Sequence, residues 1–319
     1  MESSDSLPMA SNQVRIAVSH SGINFADVLS MHGKYGGAPN LPYTPGYEVV
    51  GRIVELGSAV ENLALGMRVL AFTRFGGYAD EAVLYPHQCV PIPEDWDGAM
   101  ATALATQYVT AWYMVQDVAY VRPGDRVLVP AAAGGVGQAL MDMVKARGGE
   151  AVGIVSRETS KRFLEERGHV SVVQVKDGAW WQLKDLGAFK VIFDASGGYS
   201  IREGWKHLLP GGKLISYGAS SRIGSWGLVR DLKLLFGFGI IFPVQKLIHS
   251  QGFIGVNMLV IADKRPDVLQ ALMKEVMAAV QSGVLPFPAA HVYPAEGLEE
   301  AYAAILERRH QGKLALVWG

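Results

Sequence analysis

Half of the 319 residues are apolar and the charged groups nearly cancel, leaving a formal net charge of -1. A chain of this length can bury two cores of ordinary size, and the lack of a basic excess excludes the positive stripe that a nucleic-acid partner requires. A single cysteine, Cys89, excludes an internal disulfide framework and fits a reducing compartment.

The leader over 1–11 is polar and acidic, without the basic-then-apolar layout of a secretory signal, so the expected location is cytoplasmic. From about 14 to 93, alternating runs such as 13–19 and 48–55 are broken by Gly and Pro clusters. That pattern predicts a compact, loop-rich, mostly β unit. An alanine-rich helical stretch follows over 96–120, interrupted by Gln107-Tyr-Val-Thr110.

Strands then alternate with helices. The runs 126–130, 151–155, 172–175, 191–194, 213–217 and 253–257 are six candidate strands, five of them apolar enough for a buried parallel sheet. Six strands with helices between them predict a doubly wound α/β nucleotide-binding domain. Amphipathic helices are expected over 267–282 and 297–309, and Lys313-Leu-Ala-Leu-Val317 closes the chain as a strand that returns to the first domain. The predicted division is therefore 1–108 completed by 283–319, with 109–282 as the second domain. No internal repeat is visible.

The apolar run 234–244 has eleven residues, well short of the roughly 20 that a membrane span needs. It reads as the wall or lid of an apolar pocket or as a dimer contact, with a peripheral membrane-facing segment as the alternative.

The segment Arg126-Val-Leu-Val-Pro-Ala-Ala-Ala-Gly-Gly-Val-Gly137 is the most informative part of the chain. An apolar strand runs into small residues and then into a helical pattern over about 136–147, which Gly148-Gly149 ends before the next strand. Small residues let the chain leave the strand sharply, bring a pyrophosphate close to the backbone and aim first-turn N–H groups at it. The spacing is A-x-x-G-x-x-G rather than G-x-G-x-x-G, and the complete βαβ setting is what points to a dinucleotide.

Several motifs together resemble the zinc-free quinone oxidoreductases of the medium-chain dehydrogenase/reductase superfamily, particularly the branch containing vesicle amine transport protein 1, with zeta-crystallin more distant. They are Gly22-Ile-Asn-Phe-Ala-Asp27, Leu41-Pro-Tyr-Thr-Pro-Gly-Tyr-Glu48, Gly66-Met-Arg-Val69, Gly76-Gly-Tyr-Ala79, Tyr108-Val-Thr-Ala-Trp112, Ala132-Ala-Gly-Gly-Val-Gly137, Leu209-Pro-Gly-Gly-Lys213 and Gly312-Lys-Leu-Ala-Leu316. The resemblance implies a GroES-like, mostly β catalytic domain and a Rossmann cofactor domain. Relatives carry a further strand and hairpin before the equivalent of Gln13, so a smaller first sheet or a truncated start is expected.

Zinc relatives hold their metal with a Cys in the segment matching Gly22 to Asp27 and a His-Glu pair in the segment matching Tyr47-Glu48. Asn24 and Tyr47 stand at those positions, and the eight histidines are scattered without metal-binding spacing. No metal is expected.

By the same resemblance Asn24, Asp27, Tyr35 and Tyr43 are the candidate catalytic residues. Asn24 would donate to the acceptor carbonyl or fix the nicotinamide ribose, Asp27 would anchor its loop, and the two tyrosines would face the substrate. Ala133, Gly134, Gly135, Val136 and Gly137 would form the phosphate turn, and Thr110, Tyr217, Gly218, Gly255 and Asn257 would approach the nicotinamide half. After the second cofactor-domain strand come Ser156, Arg157 and Lys161, which offer a hydroxyl, a planar fork and a point charge for a 2′-phosphate. NADPH is the expected cofactor, with Glu158 as the competing ribose ligand of an NAD site. The expected substrate is a small apolar quinone or α,β-unsaturated carbonyl, and the expected assembly is a homodimer paired through the strand at 253–257. The alternatives are a 2-enoyl thioester reductase and a lipid-associated or crystallin-like cofactor-binding protein with little turnover.

Overall fold

A computed structural model describes residues 7–33, 37–176, 179–183, 185–218, 242–307 and 309–319. The strands in chain order are β1 (Val14–Ile23), β2 (Glu48–Leu56), β3 (Arg68–Phe72), β4 (Glu81–Leu84), β5 (Cys89–Pro91), β6 (Arg126–Pro130), β7 (Glu150–Val155), β8 (Val172–Gln174), β9 (Phe189–Asp194), β10 (Leu208–Ser216), β11 (Gly252–Gly255), β12 (Ala290–Pro294) and β13 (Lys313–Val317). The chain divides into two compact units, Met1–Val109 with Met258–Gly319, and Thr110–Asn257.

The first unit is built on a seven-stranded sheet of order β12-β13-β1-β2-β3-β5, with β4 also paired to β1. β1 is its hub: it runs antiparallel to β2, β4 and β13, and irregularities in its register with β2 bend it. Alternation in β1 places Val14, Ile16 and Val18 in one core with Val49, Ile53 and Val69. The strand ends at Ile23, which packs in a second core with Val28, Tyr302 and Leu314. Helix Leu298–Leu306 and β13 therefore close over the end of β1.

In the second unit six parallel strands run in the order β11-β10-β9-β6-β7-β8. The chain builds outward from β6 through β7 to β8, then returns to the other side of β6 at β9. This is a doubly wound α/β fold, and its switch point lies between β6 and β9. All C-terminal strand ends share one edge, where such folds bind ligands. Leu128, Ile154, Phe189 and Ile192 are buried in its core beneath Trp180.

The second boundary differs from the expectation. Helix Pro266–Gln281 belongs to the first unit, whereas the predicted cofactor domain ran to 282. The apolar stripe of this helix covers β5, the turn at Pro86–Gln88 and the helical stretch Leu104–Tyr108. Periodicity identified that stripe but not its partner. The expected helix over 96–120 is composite: α-helical over Gly98–Ala103 and Val109–Tyr113, with wider π turns over Leu104–Tyr108 and Met114–Ala119. Most of the apolar run 234–244 lies outside the described residues, and its last members, Phe242, Pro243 and Val244, are exposed.

Candidate active site and dinucleotide turn

In the second unit, the turn after β6 has the form the sequence predicts. Ala131 takes a left-handed backbone with φ 56°, and Gly134 N–H donates to Ala131 O at 3.0 Å. A side chain at Gly137 would place its Cβ 2.3 Å from Ala131 O, so glycine is required there. Helix Gly135–Ala146 starts at Gly134 with no side-chain cap. The N–H groups of Gly135, Val136 and Gly137 thus precede any intrahelical acceptor, a built-in anion cradle. Gln138 Nε2 braces the turn by donating to Ala133 O at 2.8 Å.

The other predicted cofactor residues of this unit follow the same sheet edge. Ser156 follows β7, and Arg157 leads into helix Glu158–Glu166. Lys161 forms an i, i+4 pair with Glu165 at 3.7 Å, and Glu158 pairs with Arg162 at 3.4 Å. Tyr217 and Gly218 follow β10. Tyr217 is half-buried, and desolvation together with Asp194 raises its phenol above the usual range. Gly255 ends β11 at the sheet edge, and Asn257 is exposed two residues beyond the strand. Thr110 is not at that edge; it is a buried residue of helix Val109–Tyr113.

Sequence reasoning missed Asp194 at the end of β9. One oxygen of its carboxylate accepts from Ser196 N–H at 3.1 Å and Gly197 N–H at 2.6 Å, and the other accepts from the Ser200 hydroxyl. Burial raises this carboxyl above its ordinary value, and these three donors oppose the shift. The loop beside the switch point is thereby pinned.

In the first unit, Asn24 follows β1 and opens helix Phe25–Met31. Its side chain is spent on neighbours. Nδ2 donates to Glu48 Oε1 and Oε2 at 2.7 and 2.9 Å, while Oδ1 accepts from Lys313 Nζ at 3.0 Å and Gln107 Nε2 at 3.3 Å. Lys313 also donates to Ile23 O at 3.2 Å and pairs with Glu48, both side chains being fully buried. The Thr106 hydroxyl donates to Glu48 Oε2. Gly22 permits this closeness, since a Cβ there would lie 2.0 Å from Glu48 Oε1.

Nδ2 thus faces the two oxygens of a single carboxylate, and the Asn24 amide joins Glu48 to Lys313 and Gln107. The neighbouring Asp27 does anchor its loop: Oδ2 accepts from Asn24 N–H at 2.8 Å and Oδ1 from Gly46 N–H at 3.0 Å. Burial, reinforced by the Glu48 charge, lifts this carboxyl to about 7, against the pull of the Asn24 N–H, Tyr78 and Lys313. Tyr43 packs edge-on against Phe75 at 5.4 Å, and its buried hydroxyl has no hydrogen-bond partner among the described residues. Tyr35 lies outside the described residues. Glu48, Lys313, Thr106 and Gln107 were absent from the predicted site. The available signal was a lysine inside an otherwise apolar closing strand.

Two family models match the chain: the alcohol dehydrogenase GroES-like domain over 10–94 and the zinc-binding dehydrogenase over 167–316. A quinone oxidoreductase-like protein 2 homolog of Nematostella vectensis is 31% identical over 97% of this chain and 82% of its own length. The chain belongs to the medium-chain dehydrogenase/reductase superfamily, quinone oxidoreductase type. Another member, the synaptic vesicle membrane protein VAT-1 homolog of Danio rerio, is 27% identical over 97% of this chain, which spans 64% of that protein. A quinone oxidoreductase of Escherichia coli, solved in complex with NADPH, shares the fold with a TM-score of 0.84 at 22% identity, over 99% of this chain and 95% of the other.

The zinc named in the second model has no fitting ligand set here. Asn24 and Tyr47 stand at the positions that carry Cys and His in zinc members, and no group of three or more His, Cys, Asp or Glu among the described residues can hold a metal. Among those residues, no helix is long and apolar enough to cross a membrane.

Proposed function

We propose that this oxidoreductase is zinc-independent and NADPH-dependent, and that it reduces a quinone or α,β-unsaturated carbonyl acceptor. The observation that carries the reading is the uncapped helix start at Gly135, Val136 and Gly137, set in a glycine-demanding turn at the switch point of a parallel sheet. When bound, the coenzyme supplies hydride from C4 of its nicotinamide. The chain supplies binding and orientation.

The turn at Ala133, Gly134, Gly135, Val136 and Gly137 takes the pyrophosphate. Thr110, Tyr217, Gly218, Gly255 and Asn257 are assigned to the nicotinamide half. Ser156, Arg157 and Lys161 take the 2′-phosphate. That choice is supported by the absence of an acidic residue at the end of β7 and by the pairing of Glu158 with Arg162. The partner of Lys161 is an exposed i, i+4 carboxylate, an interaction weak enough to give way to a phosphate.

Tyr43, and Tyr35 by position in sequence, are the O–H donors assigned to the acceptor. The name of the sea-anemone relative supports a quinone. We assign a homodimer paired through β11, the edge strand of its sheet, and a cytoplasmic location.

Fluorescence titration tests the coenzyme assignment. NADPH is expected to bind at least about tenfold more tightly than NADH, and Lys161→Ala to narrow that gap, because a charge-assisted contact is lost. Equal affinities in the unaltered protein contradict the 2′-phosphate site. An acceptor panel follows: preference for a crotonyl thioester over a naphthoquinone would move the reading to enoyl thioester reduction. Coenzyme binding with vesicle co-sedimentation and no acceptor-dependent oxidation would move it to a lipid-associated protein.

A further inference from the structure

The helix that carries Lys161 is weakly seated on its own sheet. Of the nine residues in Glu158–Glu166 only Leu164 is buried, whereas the neighbouring helix Gly135–Ala146 buries eight of its twelve. Most helices are held by the apolar face they pack, and a single leucine fixes the depth of a helix better than its tilt. Polar contacts at the C-terminal end supply what packing does not. The chain leaves this helix through a tight closure, in which Gly168 N–H donates to Glu165 O at 2.9 Å and His169 N–H to Leu164 O at 3.0 Å. At that closure three side-chain contacts tie it to the neighbouring helix. His169 Nε2 lies 3.0 Å from Asp142 Oδ1, Arg167 Nη2 donates to Asp142 Oδ2 at 3.4 Å, and Lys145 Nζ donates to Gly168 O at 2.9 Å. A carboxylate only accepts, so His169 Nε2 is the donor. Asp142 and His169 are both buried, which makes their contact costly to break.

The two helices joined in this way are those assigned to the two phosphate groups of the coenzyme. The turn at Gly135 to Gly137 opens one, and Lys161 lies one turn into the other. NADPH must satisfy both at once, whereas NADH, with no 2′-phosphate, needs only the turn. Arg157 is steadied by its attachment to β7, which ends two residues before it, so a change of tilt acts chiefly on Lys161. We infer that Asp142, through His169 and Arg167, is a positioning residue for coenzyme selectivity, holding Lys161 at the spacing from the pyrophosphate turn that a 2′-phosphate requires. This inference rests on the 2′-phosphate reading above and lies wholly within the second unit.

The test is the ratio of NADPH to NADH affinity, read by fluorescence titration. His169→Leu removes the central donor and is expected to narrow the ratio about fivefold, by weakening NADPH while changing NADH far less. His169→Gln keeps an N–H donor of similar reach and is expected to retain most of the preference. In a Lys161→Ala background, His169→Leu is expected to change the ratio no further, since the side chain it positions is gone. Lys145→Met removes an exposed tie and spares the buried pair. It is the variant to read if a thermal melt shows that His169→Leu does not fold, with a narrowing of about twofold expected. An unchanged ratio in the folded variant overturns the inference and leaves the coenzyme reading intact. Equal weakening of both coenzymes, a loss in His169→Gln as large as in His169→Leu, or further narrowing in the Lys161→Ala background also overturns it, because the defect is then general. If the unaltered protein does not prefer NADPH, the 2′-phosphate reading fails first and this inference fails with it.

Discussion

Lys313 opens a strand, β13, whose other residues are apolar, and its ammonium finds three acceptors: Ile23 O, Asn24 Oδ1 and Glu48. With those partners a fully buried charge is tolerable; with one removed it becomes a liability of several kcal/mol. The Glu48 carboxylate also pushes on Asp27, whose carboxyl, raised chiefly by burial, titrates at about 7. A folded value above the ordinary 3.8 means that the native state holds this proton more tightly than the unfolded chain. The resulting stabilisation is complete below the ordinary value and is lost as pH rises through the folded one. The groups facing Asp27 include Glu48, Lys313, Tyr78, Tyr302 and the Asn24 and Gly46 amides. We expect the urea midpoint to fall between about pH 5 and about pH 8, and the fall to shrink in Asp27→Asn. Equal pH slopes in the two proteins would sink the Asp27 assignment. The residue types of this cluster are visible in the sequence, and Asn24 and Asp27 were chosen from it. The coupling is not visible, because Lys313 meets a carboxylate 265 positions away and no local pattern encodes that encounter.

The dinucleotide turn is the element most fully legible in the chain, because each of its demands is local. Strand β6 coincides with the predicted 126–130, and helix Gly135–Ala146 begins one residue before the predicted start. The alanine that opens the A-x-x-G-x-x-G spacing has a simple outcome: Ala131 adopts the left-handed backbone that the turn requires, at a cost of about 1 kcal/mol. Gly137 has no such latitude. Gly137→Ala places a methyl against Ala131 O at 2.3 Å and Ala132 Cα at 2.8 Å, backbone atoms that cannot step aside. We expect it to lower stability by about 1–3 kcal/mol and to weaken NADPH at least tenfold. At Gly134 the nearest atom to an added Cβ is 3.3 Å away, so Gly134→Ala serves as the milder control. Equal effects of the two, read by urea denaturation and coenzyme titration, would contradict this account of the turn. Helix Pro266–Gln281 was less legible. Its apolar stripe is plain, but amphipathicity says only that a face is covered, and either sheet satisfied that condition.

At the scale of the whole molecule, chain order carries much of the information. A β-rich start, a run of alternating strands and helices and a returning last strand predicted both sheets, and the six-stranded one has the doubly wound order. The return of the chain also explains the network around Asn24: β13 pairs with β1, setting Leu314 opposite Ile23, beside which Lys313 reaches Glu48. Where zinc members of the superfamily present metal ligands, this chain thus presents an internal ion pair. The most direct measurement is NADPH oxidation with a naphthoquinone by protein dialysed against a strong chelator, beside an undialysed control. The account predicts acceptor-dependent oxidation at the same rate in both. Loss of the reaction on chelation with recovery on adding zinc, or no acceptor-dependent oxidation in either sample, would contradict it.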